Sequence, residues 1–143
     1  MSNEKQLRHV ILDRLAPLHA IPVESPMEAG VPDINCVVGW IELKDLASWP
    51  SFDRTVVRPP HFRPVQRNWL ATRCARGGAA WLLLRVADDV LLVWGTAAAK
   101  NIGVSWTKSE LCRNTQEQVW WPRMPYAVEL IAALTRRSWC SVD

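Results

Sequence analysis

The sequence predicts an α/β domain in which a mixed β-sheet carries helices on its faces. Two segments have apolar residues at helical spacing, and several short apolar runs between them have the length and composition of strands. Helices and strands alternate along the chain, as in domains whose sheet is covered by helices. Because the chain has 143 residues, we expect a single domain over residues 1–143 with a substantial core.

The first predicted element is a helix over residues 3–16. Its apolar residues recur every three or four positions, namely at Leu7, Val10, Ile11 and Leu15. Asn3 is a suitable N-cap with Gln6 three residues later, and Pro17 ends the helix. A short strand over residues 19–25 follows.

A hairpin is predicted next, because the apolar runs 33–38 and 40–45 are separated by Gly39. Residues 46–64 then form a loop, since prolines exclude regular structure over most of it: Pro50, Pro59, Pro60 and Pro64. Loops of this length inside a domain are often functional.

The second half of the chain begins with a helix from Val65 to Arg76, which the pair Gly77-Gly78 ends. The apolar run 79–86 is predicted to be a buried strand, and Asp88-Asp89 turns the chain back into a strand over 90–94. Beyond these strands we predict only helices, near 96–101, near 108–113 and over 125–136.

The composition is that of an ordinary folded protein, because 49% of residues are apolar and 22% are charged. No apolar run approaches the length of a membrane span, and Asp13 and Arg14 interrupt the only apolar stretch near the N-terminus. We therefore expect a cytoplasmic protein with no membrane partner. The cysteines match no zinc pattern and are expected to be free thiols: Cys36, Cys74, Cys112 and Cys140.

Positive charge is concentrated between Arg54 and Arg76. This segment holds six arginines and His61 but no acidic residue, in a chain whose net charge is only +3. Such a block predicts a surface for a polyanion, although a solvated basic face is an equal alternative. The candidates for binding phosphates are Arg54, Arg58, Arg63 and Arg67.

The chain contains nine tryptophans. Trp40, Trp81 and Trp94 lie in apolar strand-like runs and are expected in the core. Four others lie in polar or proline-containing stretches, namely Trp49, Trp106, Trp120 and Trp121. These four are expected either to stack on unpaired bases or, more commonly, to pack under loops.

The predicted hairpin also carries a candidate metal site. Side chains alternate along a strand, so Glu42 and Lys44 share a face with Trp40, and the carbonyl group of Leu43 lies between them. The turn brings Asp33 close from the neighbouring strand. Carboxylate and carbonyl oxygens suit a hard cation, which activates water against a phosphodiester. The alternative is an ordinary ion pair of little energetic value.

These residues resemble the PD-(D/E)xK nuclease superfamily. The likeness rests on Gly30-Val31-Pro32-Asp33 followed by Ile41-Glu42-Leu43-Lys44. It is most similar to the VRR-NUC and archaeal Holliday-junction resolvase branches, which include small phage-encoded nucleases. Gln66, at the start of the next helix, and Gly77-Gly78, before a strand, extend the match.

The resemblance covers about residues 3–95 and implies a restriction-endonuclease-like mixed sheet for this core. Residues 96–143 lie outside the resemblance and are expected to form a short helical C-terminal extension. The resemblance also implies cleavage of DNA that depends on Mg²⁺ or Mn²⁺. Branched or junction DNA is the expected substrate, and two cuts on opposing strands imply a homodimer. The alternative is a catalytically silent module that binds nucleic acid or protein and retains the nuclease fold.

The resemblance further implies roles for individual residues. Asp33 and Glu42 would be metal ligands, Lys44 the catalytic lysine, and Gln66 a neighbour of the site that contacts the attacking water or the phosphate. An acid from the first helix often completes such a site. Glu4 is the candidate and Glu24 its rival, while the helix dipole alone also favours an acid at position 4.

Overall fold

The computed structural model of the chain describes residues 3–25 and 27–140. It confirms the predicted α/β class, since a six-stranded mixed sheet is flanked by helices. The strands are β1 (Ile21–Pro22), β2 (Ile34–Cys36), β3 (Gly39–Leu46), β4 (Ala80–Val86), β5 (Asp89–Trp94) and β6 (Gln118–Trp121). The α-helices are α1 (Glu4–Arg14), α2 (Pro64–Ala75), α3 (Gly95–Asn101), α4 (Lys108–Leu111) and α5 (Ala127–Thr135). Ala16–Leu18 and Arg137–Cys140 form 3₁₀ turns.

The sheet follows the order of the chain from β1 to β6. β3 and β4 run parallel, and all other neighbouring strands pair antiparallel. A parallel pair needs a crossover connection, which the loop after β3 and helix α2 provide. β3 therefore lies inside the sheet between β2 and β4, where both faces are covered.

Alternation along β3 distributes its side chains between two core layers. Ile41 and Leu43 pack with Leu7 of α1 in one layer. Trp40 packs on the opposite layer, which contains Leu70 of α2. The predicted separation of Trp40 from Ile41 and Leu43 is confirmed. By the same alternation, the side chains of Glu42 and Lys44 leave β3 on the face that carries Trp40.

Helix α1 begins as the sequence predicts. The side chain of Asn3 accepts a hydrogen bond from the backbone N–H of Gln6 at 2.9 Å, which satisfies one of the free N–H groups of the first turn. Leu7 and Ile11 are fully buried against the sheet. The N-cap therefore determines where the helix starts, and the apolar face determines how it lies.

The first strand of the sheet is shorter than predicted. The strand expected over residues 19–25 pairs only at Ile21–Pro22, because Pro22 lacks a backbone donor and the chain before it forms a 3₁₀ turn. Pro26, in the loop that follows, lies outside the described residues. The sheet therefore has only a very short strand at this edge.

The C-terminal extension contributes more than the helices predicted for it. Strand β6 pairs antiparallel with β5 and completes the sheet. Trp121 and Leu130, from β6 and α5, belong to the same core layer as α1. The sequence signal for β6 was weak, since the strand has only four residues and Pro122 follows it directly.

The cysteines that can be described are free thiols, as expected. They are Cys36, Cys74 and Cys112, and burial raises the pKa of all three thiols above the ordinary range. The side chain of Cys140 lies outside the described part of the structure.

Helix α2, with 12 residues, is the longest helix in the described ranges. Across those residues, none of the helices has the length and apolar character required to cross a bilayer.

Candidate metal and nucleic-acid site

Asp33 stands directly before β2 and next to β3. Ile34 pairs with Ile41 in the antiparallel ladder, so the same register places Asp33 opposite Glu42. The carboxylate oxygen Oδ2 of Asp33 accepts a hydrogen bond from the backbone N–H of Leu43 at 2.8 Å. The side chain thus continues the ladder where β2 has ended, and this contact orients the carboxylate.

Glu42 and Lys44 meet on the central strand. Nζ of Lys44 lies 3.5 Å from Oε2 of Glu42. The two residues are only 2% and 3% exposed, because β3 has a strand on either side and packed layers above and below. Their burial makes the interaction far less screened than a surface ion pair.

Glu4 approaches the same lysine from the first turn of α1. Its Oε1 lies 4.0 Å from Nζ of Lys44, and its side chain is 41% exposed. Glu24 is exposed and lies in the irregular segment after β1. Of the two rival acids, the structure therefore brings Glu4, and not Glu24, close to Asp33, Glu42 and Lys44. We term the four residues Glu4, Asp33, Glu42 and Lys44 the acidic cluster.

A pocket of about 150 Å³ opens beside the acidic cluster. Its lining includes Glu4 of α1, Asp33 directly before β2 and Leu43 of β3. Lys5 and Arg8 complete the lining. Glu42 and Lys44 do not line the pocket and are covered more deeply.

Lys5 and Arg8 were not predicted as site residues. Arg8 follows Glu4 by four positions, so both side chains lie on one face of α1. This spacing is the sequence feature that could have identified Arg8 as a neighbour of the site. Their positive charges stand at the pocket beside the carboxylates. A phosphate group that approaches a cation in this pocket would find both charges favourable.

Burial is the largest influence on the pKa values of the acids in the cluster, and the closeness of the acids to one another adds to it. Burial raises the pKa of Glu42 from its ordinary value of 4.5 to about 9, and the neighbouring carboxyl of Asp33 adds to the effect while Lys44 opposes it. Burial likewise raises the pKa of Glu4, against the charge of Lys44. One lysine does not balance three acids, so an additional cation would stabilise their ionised forms.

The start of α1 is anchored by a further ion pair, between Asp45 and Arg85. Nε and Nη2 of Arg85 each donate to Asp45 at 3.0 Å, and the backbone N–H of Asn3 donates to Oδ2 of the same carboxylate. Burial alone would raise the pKa of Asp45, but these hydrogen bonds hold the pKa below its usual range. Because Asn3 precedes Glu4, the pair fixes the position of Glu4.

The loop after β3 covers Lys44. The backbone carbonyl of His61 accepts a hydrogen bond from Nζ of Lys44 at 3.1 Å. His61 has a φ of 62°, in the left-handed region that residues other than glycine seldom adopt. The ammonium group is therefore held from three directions by oxygen atoms of Glu4, Glu42 and His61.

The structure gives Gln66 a different place from the predicted one. Its Oε1 accepts a hydrogen bond from the backbone N–H of Arg63 at 2.9 Å, so the side chain caps the start of α2. Within the described residues, no hydrogen bond joins it to Asp33, Glu42 or Lys44. Gln66 therefore caps α2, and its contact with the attacking water or the phosphate stays a prediction.

The start of α2 nevertheless lies close to the loop before Asp33. A Cβ atom at Gly30 would stand 2.4 Å from the carbonyl oxygen of Val65, and Gly30 also has a φ of 86°. Only glycine fits both the conformation and the space. Gly30 thus lets the helix pack against the segment that leads to the acidic cluster.

The four predicted phosphate-binding arginines divide into two groups. Arg54, Arg58 and Arg63 are exposed on the loop between β3 and α2. Arg67 differs, since its Nη1 donates to the carbonyl oxygen of Ile102 at 2.5 Å and its guanidinium carbon lies 4.2 Å from the centre of the Phe62 ring. Arg67 therefore ties α2 to the end of α3, and its guanidinium group is less available to a phosphate than those of the three exposed arginines.

The tryptophans in polar stretches are packed against the protein. Nε1 of Trp49 donates to Asp89 at 2.8 Å, and Nε1 of Trp120 donates to the same carboxylate at 2.9 Å. Trp106 packs on the core layer beneath α2, and Trp121 is buried. These contacts favour packing over base stacking for all four.

The residues present suit a hard cation but do not form a complete ligand set. Among the residues that the structure describes, no three His, Cys, Asp or Glu side chains are arranged to hold a metal ion. The pocket offers carboxylates from Glu4 and Asp33 together with the backbone of Leu43. Mg²⁺ commonly binds proteins through one or two carboxylates and keeps several of its waters. The donor atoms at this pocket are consistent with that mode of coordination.

No protein-family model matches the chain, and comparison with curated proteins finds no significant relative. The resemblance to the PD-(D/E)xK nucleases therefore rests on the residues quoted above.

Proposed function

We propose that the chain is a metal-dependent DNA endonuclease that hydrolyses phosphodiester bonds. The observation that carries the proposal is the acidic cluster, in which residues from α1, β3 and the start of β2 meet beside one pocket. A buried lysine next to several carboxylates is costly to maintain, and phosphodiester hydrolysis uses both kinds of group.

Mg²⁺ or Mn²⁺ is the proposed cofactor. Asp33, Glu4 and the carbonyl of Leu43 would hold it at the pocket, and Glu42, which lies deeper, would join them only by moving towards the ion. When bound, such an ion lowers the pKa of a bound water and offsets charge on the phosphate. The hydrogen bond from Leu43 N–H occupies Oδ2 of Asp33 and keeps that carboxylate in one orientation. Fixed carboxylates of this kind lower the cost of assembling a metal site.

Lys44 is the proposed catalytic lysine. Its ammonium group is held by Glu42, Glu4 and the carbonyl of His61, so its position is determined before a substrate arrives. We assign it the donation of a hydrogen bond to the attacking water or to the phosphate, which would replace its contact with Glu4, the longest of the three at 4.0 Å. A preorganised charge in a buried site contributes more than the same charge in water.

The exposed arginines of the loop between β3 and α2 are the proposed phosphate-binding residues. Arg58 and Arg63 lie on either side of His61, the residue that covers Lys44. DNA held by this loop would therefore approach the acidic cluster. We propose a branched or junction substrate and a homodimer, because two opposing cuts need two active sites.

The proposal is tested by cleavage of a panel of labelled DNAs in the presence of Mg²⁺. The panel contains linear duplex, nicked duplex, flap, four-way junction and single strand. We expect cleavage of a branched substrate that EDTA abolishes and that Lys44→Ala lowers by at least about 100-fold. Cleavage by Lys44→Ala at the wild-type rate would remove the proposed role of Lys44.

A second candidate is the catalytically silent binding module. The near-complete burial of Glu42 and Lys44 favours it, because a buried pair of polar side chains in contact can persist for structural reasons alone. The two candidates differ in one measurement: the module binds DNA or a protein partner but cuts no member of the panel with Mg²⁺ or Mn²⁺.

A further inference from the structure

A groove of about 700 Å³ runs along α2, separate from the pocket at the acidic cluster. One side of the groove is the face of α2 that carries Asn68, Trp69 and Arg73. Glu28 and Ala29, in the loop before β2, form part of the opposite side. We term this surface the α2 groove. Its volume falls in the range in which proteins enclose molecules the size of a nucleotide.

We propose that the α2 groove binds an unpaired segment of nucleic acid, with Arg73 and Arg76 contacting phosphates and with Arg73 and Trp69 offering bases a surface for stacking. The inference rests on the proposed nucleic-acid function and specifies its substrate. It requires no cleavage, so it can be tested separately from catalysis.

The position of Arg73 carries the proposal. Its guanidinium carbon lies 4.4 Å from the ring centre of Trp69 and 5.5 Å from that of Trp40. The two indoles themselves pack edge to face at 5.2 Å. A guanidinium held against aromatic rings keeps its N–H groups in a fixed plane, which suits contact with phosphate oxygens and with bases.

The charges of Arg73 and Arg76 are also uncompensated. Between the described residues, none of the ion pairs involves either arginine. Both residues are exposed, and Glu28 is the single acid in the lining of the groove. The net positive charge of this surface matches a phosphate backbone.

The shape of the groove favours a single strand over a duplex. A concave pocket between a helix and a loop admits individual nucleotides, whereas duplex DNA presents a broad convex surface. Proteins that bind single strands combine positive charge with stacking surfaces in this way.

The α2 groove also leads towards the acidic cluster. Val65 lines the groove, and its carbonyl oxygen packs against Gly30, three residues before Asp33. An unpaired strand in the groove therefore lies along the loop that ends at the proposed metal ligand. This arrangement would suit a substrate in which single-stranded nucleotides adjoin the bond that is cut.

Binding of a labelled single-stranded oligothymidylate, measured by fluorescence anisotropy in EDTA, tests the proposal without cleavage. We expect Arg73→Gln to weaken binding about tenfold, and Trp69→Leu to weaken it several-fold even in high salt, where stacking persists. The matched control is Arg113→Gln, which removes the same charge from an exposed arginine after α4 and is expected to change the dissociation constant less than about twofold.

Gly78→Ala provides a second test that leaves the charge unchanged. A Cβ atom at Gly78 would stand 2.6 Å from Cδ of Arg73, so the alanine displaces the arginine side chain. We expect weaker binding of the oligothymidylate with the circular dichroism spectrum of the folded protein retained. If Trp69→Leu does not fold, Gly78→Ala and Arg76→Gln still test whether the groove binds the oligothymidylate.

The outcomes separate the two proposals. Equal affinities for Arg73→Gln and Arg113→Gln overturn the α2 groove as a strand-binding site, and so does wild-type protein that cuts DNA but does not bind the oligothymidylate. If the wild-type protein cuts no DNA but Arg73→Gln weakens binding of the oligothymidylate, the α2 groove is supported as a strand-binding site and the proposed nuclease activity is overturned.

Discussion

At the scale of single residues, the side chains of the acidic cluster cannot all be ionised unless an additional cation is present. Glu42 is buried beside Asp33, and Lys44 is the only cation at the centre of the cluster among the described residues. The hydrogen bond from Leu43 holds Asp33 in place. The roles of these residues can therefore be separated by substitutions that preserve shape and remove charge.

Asp33→Asn is expected to lower the cleavage rate by at least about 100-fold, since even loss of a residue that only supports a metal ligand costs about 10–100-fold. The asparagine oxygen can still accept the hydrogen bond from Leu43, so the fold and DNA affinity should remain. Rates with Mg²⁺ and binding in EDTA measure the two effects. Asp88→Asn, in the exposed turn between β4 and β5, is the matched control.

Glu42→Gln is expected to stabilise the metal-free protein at alkaline pH. Because the pKa of Glu42 is raised from 4.5 to about 9 in the fold, its contribution to stability is fully present below pH 4.5 and is lost as the pH rises towards 9. The wild-type protein in EDTA should lose stability between pH 6 and pH 8 more steeply than the variant.

Melting temperatures at the two pH values measure this difference, which we expect to be several degrees. Glu117→Gln removes an exposed acid and should leave the wild-type slope unchanged. Identical slopes for Glu42→Gln and wild type would mean that Glu42 is ionised in the folded state. Added Mg²⁺ should raise the wild-type melting temperature if it binds the cluster.

At the scale of elements, the loop between β3 and α2 is both a crossover and a cover for Lys44. The parallel pairing of β3 with β4 requires a connection that passes over one face of the sheet. The carbonyl of His61 contacts Lys44 on this path, and Arg58 and Arg63 flank it. One segment therefore links the proposed catalytic lysine to the proposed phosphate contacts.

The backbone of His61 provides a test of this link. A left-handed conformation costs a residue with a Cβ atom about 1–2 kcal/mol and suits glycine. We expect His61→Val to lower the cleavage rate about tenfold because the carbonyl leaves Lys44, and His61→Gly to stay within about twofold of wild type. Equal loss in both variants would instead indicate a role for the imidazole ring.

At the scale of the whole molecule, the fold divides the arginines of residues 54–76 among three places, which are the loop between β3 and α2, the contact of Arg67 with the end of α3, and the α2 groove. The exposed arginines of the loop are available to DNA, whereas Arg67 is part of the packing between α2 and α3. The block of arginines that looks continuous in the sequence is therefore divided by the structure.

Arg58→Ala is expected to weaken DNA binding across many sequences and to reduce the slope of log K against log salt by about 1. Arg67→Ala should leave that slope nearly unchanged but lower the melting temperature, because the carbonyl of Ile102 loses its donor. Binding titrations at several salt concentrations and thermal unfolding distinguish the two. A sequence-specific loss in Arg58→Ala would indicate base contacts instead.

The sequence predicted most of the fold because the signals were local. Apolar spacing located α1 and α2, and alternation assigned Ile41 and Leu43 to one core layer. The hairpin was also predicted, but its turn is Val37-Val38, whereas Gly39, the predicted turn, is the first residue of β3 and pairs with Cys36. Strand β6 was missed because its four residues pair with β5 only in three dimensions.

For the candidate site, the sequence by itself determined which side chains could meet, since the spacing of Glu42 and Lys44 and the position of Asp33 before a strand follow from local order. The tertiary structure alone decided that Glu4 joins them rather than Glu24, that Gln66 caps a helix, and that Arg67 faces carbonyl groups. The physical reason is that alternation and helical period are properties of neighbouring residues, whereas these contacts depend on how α1, α2 and α3 pack on the sheet.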